Sequence, residues 1–205
     1  MEPNARNFKA SLAAMLGICL AFILIALNTS VVGTAMPAIV ADLRGYDLYQ
    51  WAASAFLVGN AVMIPLTGRL GDLYGRKPFV LASVFLFACA SVACGLSQTM
   101  LQLVLARACQ GVAGGMLLGV ASACVPDLFP DATQRVRWQV LLSSSYGVAL
   151  AIGPWLGGWL TEHTSWRWVF FVNLPVALAA LPVRHASGLH TIQHVAQLGE
   201  HLPRQ

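Results

Sequence analysis

The stretch Gly68-Arg69-Leu70-Gly71-Asp72-Leu73-Tyr74-Gly75-Arg76-Lys77-Pro78 decides the fold. It concentrates charge and glycine between two long apolar runs, WAASAFLVGNAVMIPL over 51–66 and FVLASVFLFACASVACGL over 79–96. A short loop joining two membrane helices at an aqueous face reconciles those charges with those neighbours. Glycine lets a chain turn tightly and approach other backbone closely. Arg69, Arg76 and Lys77 mark the loop as cytoplasmic, because short loops rich in Lys and Arg stay on that side.

Composition points the same way. The chain is 58% hydrophobic and 10% charged, whereas soluble domains are about a quarter charged. The formal charge of +4 is spread over short segments between apolar runs. It is an orientation signal and not a nucleic-acid surface. Glu2, Arg6 and Lys9 precede an apolar run from Ala10 to Leu27, longer than the roughly 7–15 residues of a signal-peptide core. An uncleaved first helix is expected. The five cysteines, Cys19, Cys89, Cys94, Cys109 and Cys124, show no CxxC spacing. They are expected to pack as small residues, with no metal, redox role or cofactor.

A membrane-spanning helix needs about 20 apolar residues. Six spans can be drawn, at about 11–40, 50–67, 79–97, 100–123, 138–160 and 167–183, between an N-terminal segment 1–10 and a tail 184–205. The expected fold is an all-α membrane protein whose six helices form two inverted three-helix units. With the N-terminus inside, the inner segments hold Arg6 and Lys9, then Arg69, Arg76 and Lys77, then Arg135 and Arg137, then Arg184, and the outer ones only Arg44 and Arg167. That bias predicts a multi-pass protein of the inner or plasma membrane with both termini cytoplasmic.

Polar residues inside the spans carry the functional signal. Arg107 lies within Leu103-Val104-Leu105-Ala106-Arg107-Ala108-Cys109-Gln110-Gly111. A charge at membrane depth costs at least a few kcal/mol (about 3 by insertion scales) and normally faces a bundle interior or cavity. The bland alternative is an arginine that snorkels to the interface, but Gln110, one turn on, extends the same polar face inward. Gly111, Gly115 and Gly119 recur every fourth residue and form a stripe for close helix packing. In the fifth span Pro154 leaves the Leu150 carbonyl without its helical partner and kinks the helix. Gly147, Gly153, Gly157 and Gly158 surround it, and Gly153 and Gly157 clear space for another helix. Asn28 interrupts the first span with an amide that does not titrate. Asp42, Asp47, Asp72, Asp127, Asp131 and Glu162 all fall in loops or at helix ends.

Four segments together resemble the major facilitator superfamily of secondary transporters. Gly68–Lys77 is similar to the family's loop between helices 2 and 3. Leu105-Ala106-Arg107 through Gln110-Gly111 and Gly114 is similar to its helix 4 motif, in which the arginine is associated with proton coupling. Gly147 through Gly158 resembles the helix 5 motif of the antiporter members. Leu27-Asn28-Thr29-Ser30-Val31-Val32 to Met36-Pro37-Ala38-Ile39, with Ser165-Trp166-Arg167-Trp168 to Asn173-Leu174-Pro175, resembles the fourteen-helix drug:proton antiporter branch.

The resemblance implies a multidrug or small-metabolite exporter driven by protons, with a cavity between two halves. Asp72 and Arg76, with Gly68, Gly75 and Lys77, would belong to a conformational charge network. Asn28, Arg107 and Gln110 would be the transport and coupling candidates. Gly153, Pro154 and Gly157 would line the seam against the second half. The branch normally has Asp where this chain has Asn28, and the likeness ends near Val183, after the N-terminal half only.

The tail beyond holds His185, His190, His194 and His201, with no Cys or acidic cluster to complete a metal site. The chain is therefore read as a truncated half-transporter, active through a homodimer or a missing C-terminal half. The alternative is a non-transporting remnant or partner of a full-length relative. No nucleophile with its base, phosphate loop or carboxylate pair points to an enzyme.

Overall fold

The structure, a computed structural model, describes residues 5–128 and 131–175, with side chains described over 15–75, 78–125 and 131–175. The chain runs through α1 (Ala5–Leu43), a 3-10 turn (Tyr46–Leu48), α2 (Tyr49–Tyr74), α3 (Arg76–Gly95), α4 (Met100–Leu128), α5 (Ala132–His163) and the short α6 (Trp168–Phe171). Among the described residues five segments are long and apolar enough to cross a membrane: Met15–Leu43, Tyr46–Tyr74, Pro78–Gly95, Met100–Val125 and Ala132–His163. The most apolar stretches of α1 and α4 are 50% and 56% buried, against 22% for those of α2 and α5. Thus α1 and α4 are central, and α2 and α5 turn Val58, Val62, Val148 and Trp155 outward.

One expected loop proves to be helix. Residues 68–74 continue α2 to Tyr74, and the break with α3 is Gly75 alone, at φ 85° and ψ 146°. A side chain is not tolerated in that region of backbone space, so the turn is compressed into one glycine. Gly68, by contrast, has open space around it and no close backbone neighbour. Pro78 falls in the first turn of α3, where its missing N–H would have had no helical acceptor. The sixth expected span begins as α6, with helical residues again at 173–175. The rest of it, the tail from 184 and its histidines lie outside the described residues.

The two most extensive helix contacts are α2 with α4 and α1 with α5. A repeat relating α1–α3 to α4–α6 converts one pair into the other, and likewise turns the α3–α4 contact into the α6–α1 contact, which is also present. The fold is therefore two interleaved three-helix units. The pairs close by different means. In the first, Gly111 abuts the Phe56 carbonyl, and a Cβ at Gly115 or Gly119 would lie 2.5 Å from the Asn60 or Ile64 carbonyl oxygen. Gly59 answers from α2, where a Cβ would meet Ala108 O and Val112 N at 2.9 Å. In the second pair the small residues are on α5, with Gly153 against Ser30 and Gly157 against Thr34 and Val31. The glycines of both pairs thus come mainly from α4 and α5 of the second unit, with Gly59 of α2 the exception.

The carbonyl that Pro154 frees is held by the same contact. Ser30 Oγ donates to the Leu150 carbonyl at 2.9 Å, the oxygen that proline leaves without its amide. At the opposite end from Gly75, Asp42 at the end of α1 accepts from Trp166 Nε1 at 2.9 Å and from Arg167 Nη1 at 3.2 Å. Arg167 also donates to the Ser97 carbonyl at 3.2 Å and lies over the Trp166 ring. These contacts join the ends of α1, α3 and α5.

Candidate functional site

Three helices meet at Arg107, and a fourth joins through its partner Gln110. The guanidinium is 2% exposed, so it does not snorkel to an interface. Its Nη1 donates to Asn28 Oδ1 of α1 at 2.6 Å and to Gln110 Oε1 of α4 at 2.7 Å, and its Nε donates to the Ala52 carbonyl of α2 at 3.3 Å. Phe56, one turn on from Ala52, lays its ring 4.3 Å from the guanidinium carbon. Gln110 turns its amide nitrogen to Ser91 Oγ of α3 at 2.7 Å and shares its oxygen with Cys94 Sγ at 3.8 Å. Asn28 and Gln110 are fully buried.

Local sequence explains the convergence. Arg107 and Gln110 are three apart and share one face of α4. The glycine stripe beginning at Gly111 continues next to that face and draws α2 in until the Ala52 carbonyl and Phe56 ring reach the guanidinium. Ser91 and Cys94, also three apart, bring a polar strip on α3 to the other side of Gln110.

The energetics are unusual because the charge has no ion-pair partner among the described residues. Hydrogen bonds to a charged group are worth about 1.5–3 kcal/mol each, and a cation over an aromatic ring about 0.5–2 kcal/mol. Together these offset a desolvation penalty of several kcal/mol (roughly 3 or more). They hold the charge without neutralising it. In such low dielectric its field reaches further than in water. The polar shell is also incomplete: Asn28 Nδ2 is buried without a hydrogen-bond partner among the described residues.

The family model described as Major Facilitator Superfamily matches residues 18–187. The chain belongs to the Major Facilitator Superfamily. Its relatives include the multidrug transporter protein MdtP of Bacillus subtilis, 38% identical over 181 residues that cover 88% of this chain and 33% of MdtP. An MFS-type transporter of Mycobacterium tuberculosis is 42% identical over 183 residues, covering 89% and 26%. Efflux pump dotC of Dothistroma septosporum is 40% identical over 163 residues, covering 80% and 28%. Among solved structures, the proton:xylose symporter XylE superposes with a TM-score of 0.76 at 14% identity, over 90% of this chain and 45% of XylE. The chain thus spans a quarter to a third of the length of these curated relatives.

Within this superfamily fold the remaining expected residues separate into two groups. Gly68, Asp72 and Gly75 lie at the end of α2 and in the turn after it, far along the helix from Asn60 and Phe56. Arg76 and Lys77 open α3, and their side chains lie outside the described ones. On α5, Gly153 and Gly157 are occupied by α1. Pro154 is exposed, and Gly147 and Gly158 face open space. Among the described side chains, neither group bonds to Arg107. Ala52, Phe56, Ser91 and Cys94 complete the site and were not among the expected residues. The i, i+3 spacing of Ser91 and Cys94 was the available signal on α3.

Proposed function

We propose that this chain forms the N-terminal six-helix part of a small-molecule exporter, with the Arg107 network at the centre of its transport path. The buried guanidinium held by Asn28, Gln110, Ala52 and Phe56 carries this reading. It couples α1, α2 and α4 through one charge and α3 through Gln110, and any rocking of those helices against one another must alter its surroundings. The names of the relatives, multidrug transporter and efflux pump, support efflux as the direction and a small organic molecule as the cargo.

The other half of the path is supplied by further helices or by a second copy of the six-helix unit. The positive-inside bias supports both termini in the cytoplasm of the inner or plasma membrane, which places the Gly75 turn inside and the Asp42–Arg167 cluster outside. Asn28 does not carry a proton. Arg107 therefore acts on coupling through its field, and any proton is taken by a group elsewhere in the assembled transporter.

The test is drug accumulation in a pump-deficient host expressing the chain, its Arg107→Ala variant or neither. Lower accumulation with the chain alone is expected. Equal accumulation in all three would end the exporter reading for the isolated chain and leave the partner role. Crosslinking in membranes then separates pairing of two copies, which gives a dimer band at every expression level, from assembly with other helices.

A further inference from the structure

Arg107 places a permanent positive charge inside the helix unit, and every group bonded to it is neutral: two side-chain amides, a backbone carbonyl and an aromatic ring. Asp42, Asp47, Asp72, Asp127, Asp131 and Glu162 fall at helix ends or in turns, so α1, α2, α3 and α4 present no carboxylate at this depth. Arginine keeps its proton at any working pH. The site cannot neutralise itself.

Beside the charge stands a second unused donor. Asn28 is 1% exposed, and with its oxygen committed to Arg107 its Nδ2 has no partner among the described residues. A fixed cation and an orphan N–H at one place suit a ligand that is negative and only accepts hydrogen bonds. We propose that the Arg107–Asn28 site takes up an anionic group, a carboxylate or comparable small monovalent anion, as the counter-charge that the chain lacks there. One oxygen accepts from the guanidinium and the other from Asn28 Nδ2, the charge-assisted pairing that arginine makes with carboxylates. Cationic cargo is disfavoured at this point, because like charges repel strongly in low dielectric. If the anionic group belongs to the cargo, the inference rests on the exporter reading, and the exported class is organic acids. If it is a free ion, the site is an anion cofactor site.

The experiment is thermal unfolding of the purified 205-residue chain in detergent at constant ionic strength. The titrants are benzoate, its neutral isostere benzamide, its cationic counterpart benzylamine, and chloride. Benzoate is expected to raise the midpoint saturably, by about 5 °C or more well above its dissociation constant, with benzamide and benzylamine giving no saturable shift. An equal response to chloride assigns the site to a free anion, and a response to benzoate alone assigns it to the carboxylate of an organic cargo.

Two variants keep the outcome decisive. Arg107→Gln should lose the benzoate response. Asn28→Asp should raise the midpoint without any ligand and then lose the response, because the new carboxylate supplies the counter-charge from within. A benzoate shift equal to that of benzamide, or one that persists in Asn28→Asp, overturns the proposal. The readout needs no transport. Binding without efflux would sink only the exporter reading, and efflux without binding would sink only this one.

Discussion

Replacing Gly111 by alanine should drive α2 and α4 apart, while the same change at Gly114 should not. At Gly111 the new Cβ would fall on the Phe56 carbonyl oxygen and 2.8 Å from the Phe56 carbonyl carbon and Cα. All three are backbone atoms, which cannot rotate out of the way. At Gly114 the nearest atoms are Asn60 Nδ2 at 3.6 Å and the Phe56 ring at 3.7 Å, ordinary contact with side chains. Both variants gain the same helix propensity, about 1 kcal/mol, so it cancels in the comparison. The difference between them is the overpacking cost, about 1–3 kcal/mol. For a chain of this length that corresponds to a gap of about 3–10 °C in unfolding midpoint. Gly111 lies one turn beyond Arg107, so separation also lengthens the 3.3 Å bond from Arg107 Nε to the Ala52 carbonyl. The assay is thermal unfolding in detergent of Gly111→Ala and Gly114→Ala side by side. Equal midpoints would refute the argument that backbone contact sets the α2–α4 distance and, through it, the Arg107 geometry.

Three further outcomes follow from the same structure. Ser30→Ala should cost about 1 kcal/mol, the net worth of one hydrogen bond, by leaving the Leu150 carbonyl unpaired. In a Pro154→Ala background, where the helix reclaims that carbonyl, the cost should vanish, and a double-mutant cycle with zero coupling would contradict the pairing. Gly75→Ala should destabilise by about 1–3 kcal/mol because its φ of 85° is closed to a side chain; an unchanged midpoint would show that the turn relaxes freely. Asp42→Asn keeps an acceptor for Trp166 Nε1 and loses only a partly exposed ion pair, so the change should stay within about 1 kcal/mol. Asp42→Ala, which strands the indole N–H, should cost more, and equal effects would argue against the hydrogen bond.

What could be read from the residues was one-dimensional. The spans, the proline that frees Leu150, the small-residue stripe at Gly111, Gly115 and Gly119, and the shared face of Arg107 and Gln110 are all visible as spacing along single helices. Their partners are not, because a helix pattern states which face is special without stating what covers it. Nothing local connects Pro154 to Ser30, or Gly111 to the Phe56 carbonyl. Asn28 and Arg107 stood out separately for the same reason, as costly polar groups, and only the packing of α1 beside α4 joins them. Trp166 and Arg167 stand out in one segment and Asp42 at a helix end, but nothing along the chain joins residues more than a hundred positions apart. Residues 68–74 carry the charges and glycines of a loop and are nevertheless helix. An α-helix emerging from a membrane gains freely solvated side chains and does not need to stop.

The interleaving of α1 with α5 has a consequence for how the protein is made. The Ser30–Leu150 bond closes over 120 residues of chain and the Arg107–Asn28 bond over 79. At ribosomal speeds of about 5–20 residues per second, α1 waits roughly 6–24 s after its own synthesis before α5 exists to cover it. Asn28 meets Arg107 earlier, once α4 is made, but throughout that interval the Ser30–Thr34 face of α1 has only lipid, or whatever chaperone or insertase holds the nascent helix. Biogenesis is therefore paced by the fifth helix, and a chain interrupted before Ala132 presents the same uncovered polar strip that membrane quality control is built to detect.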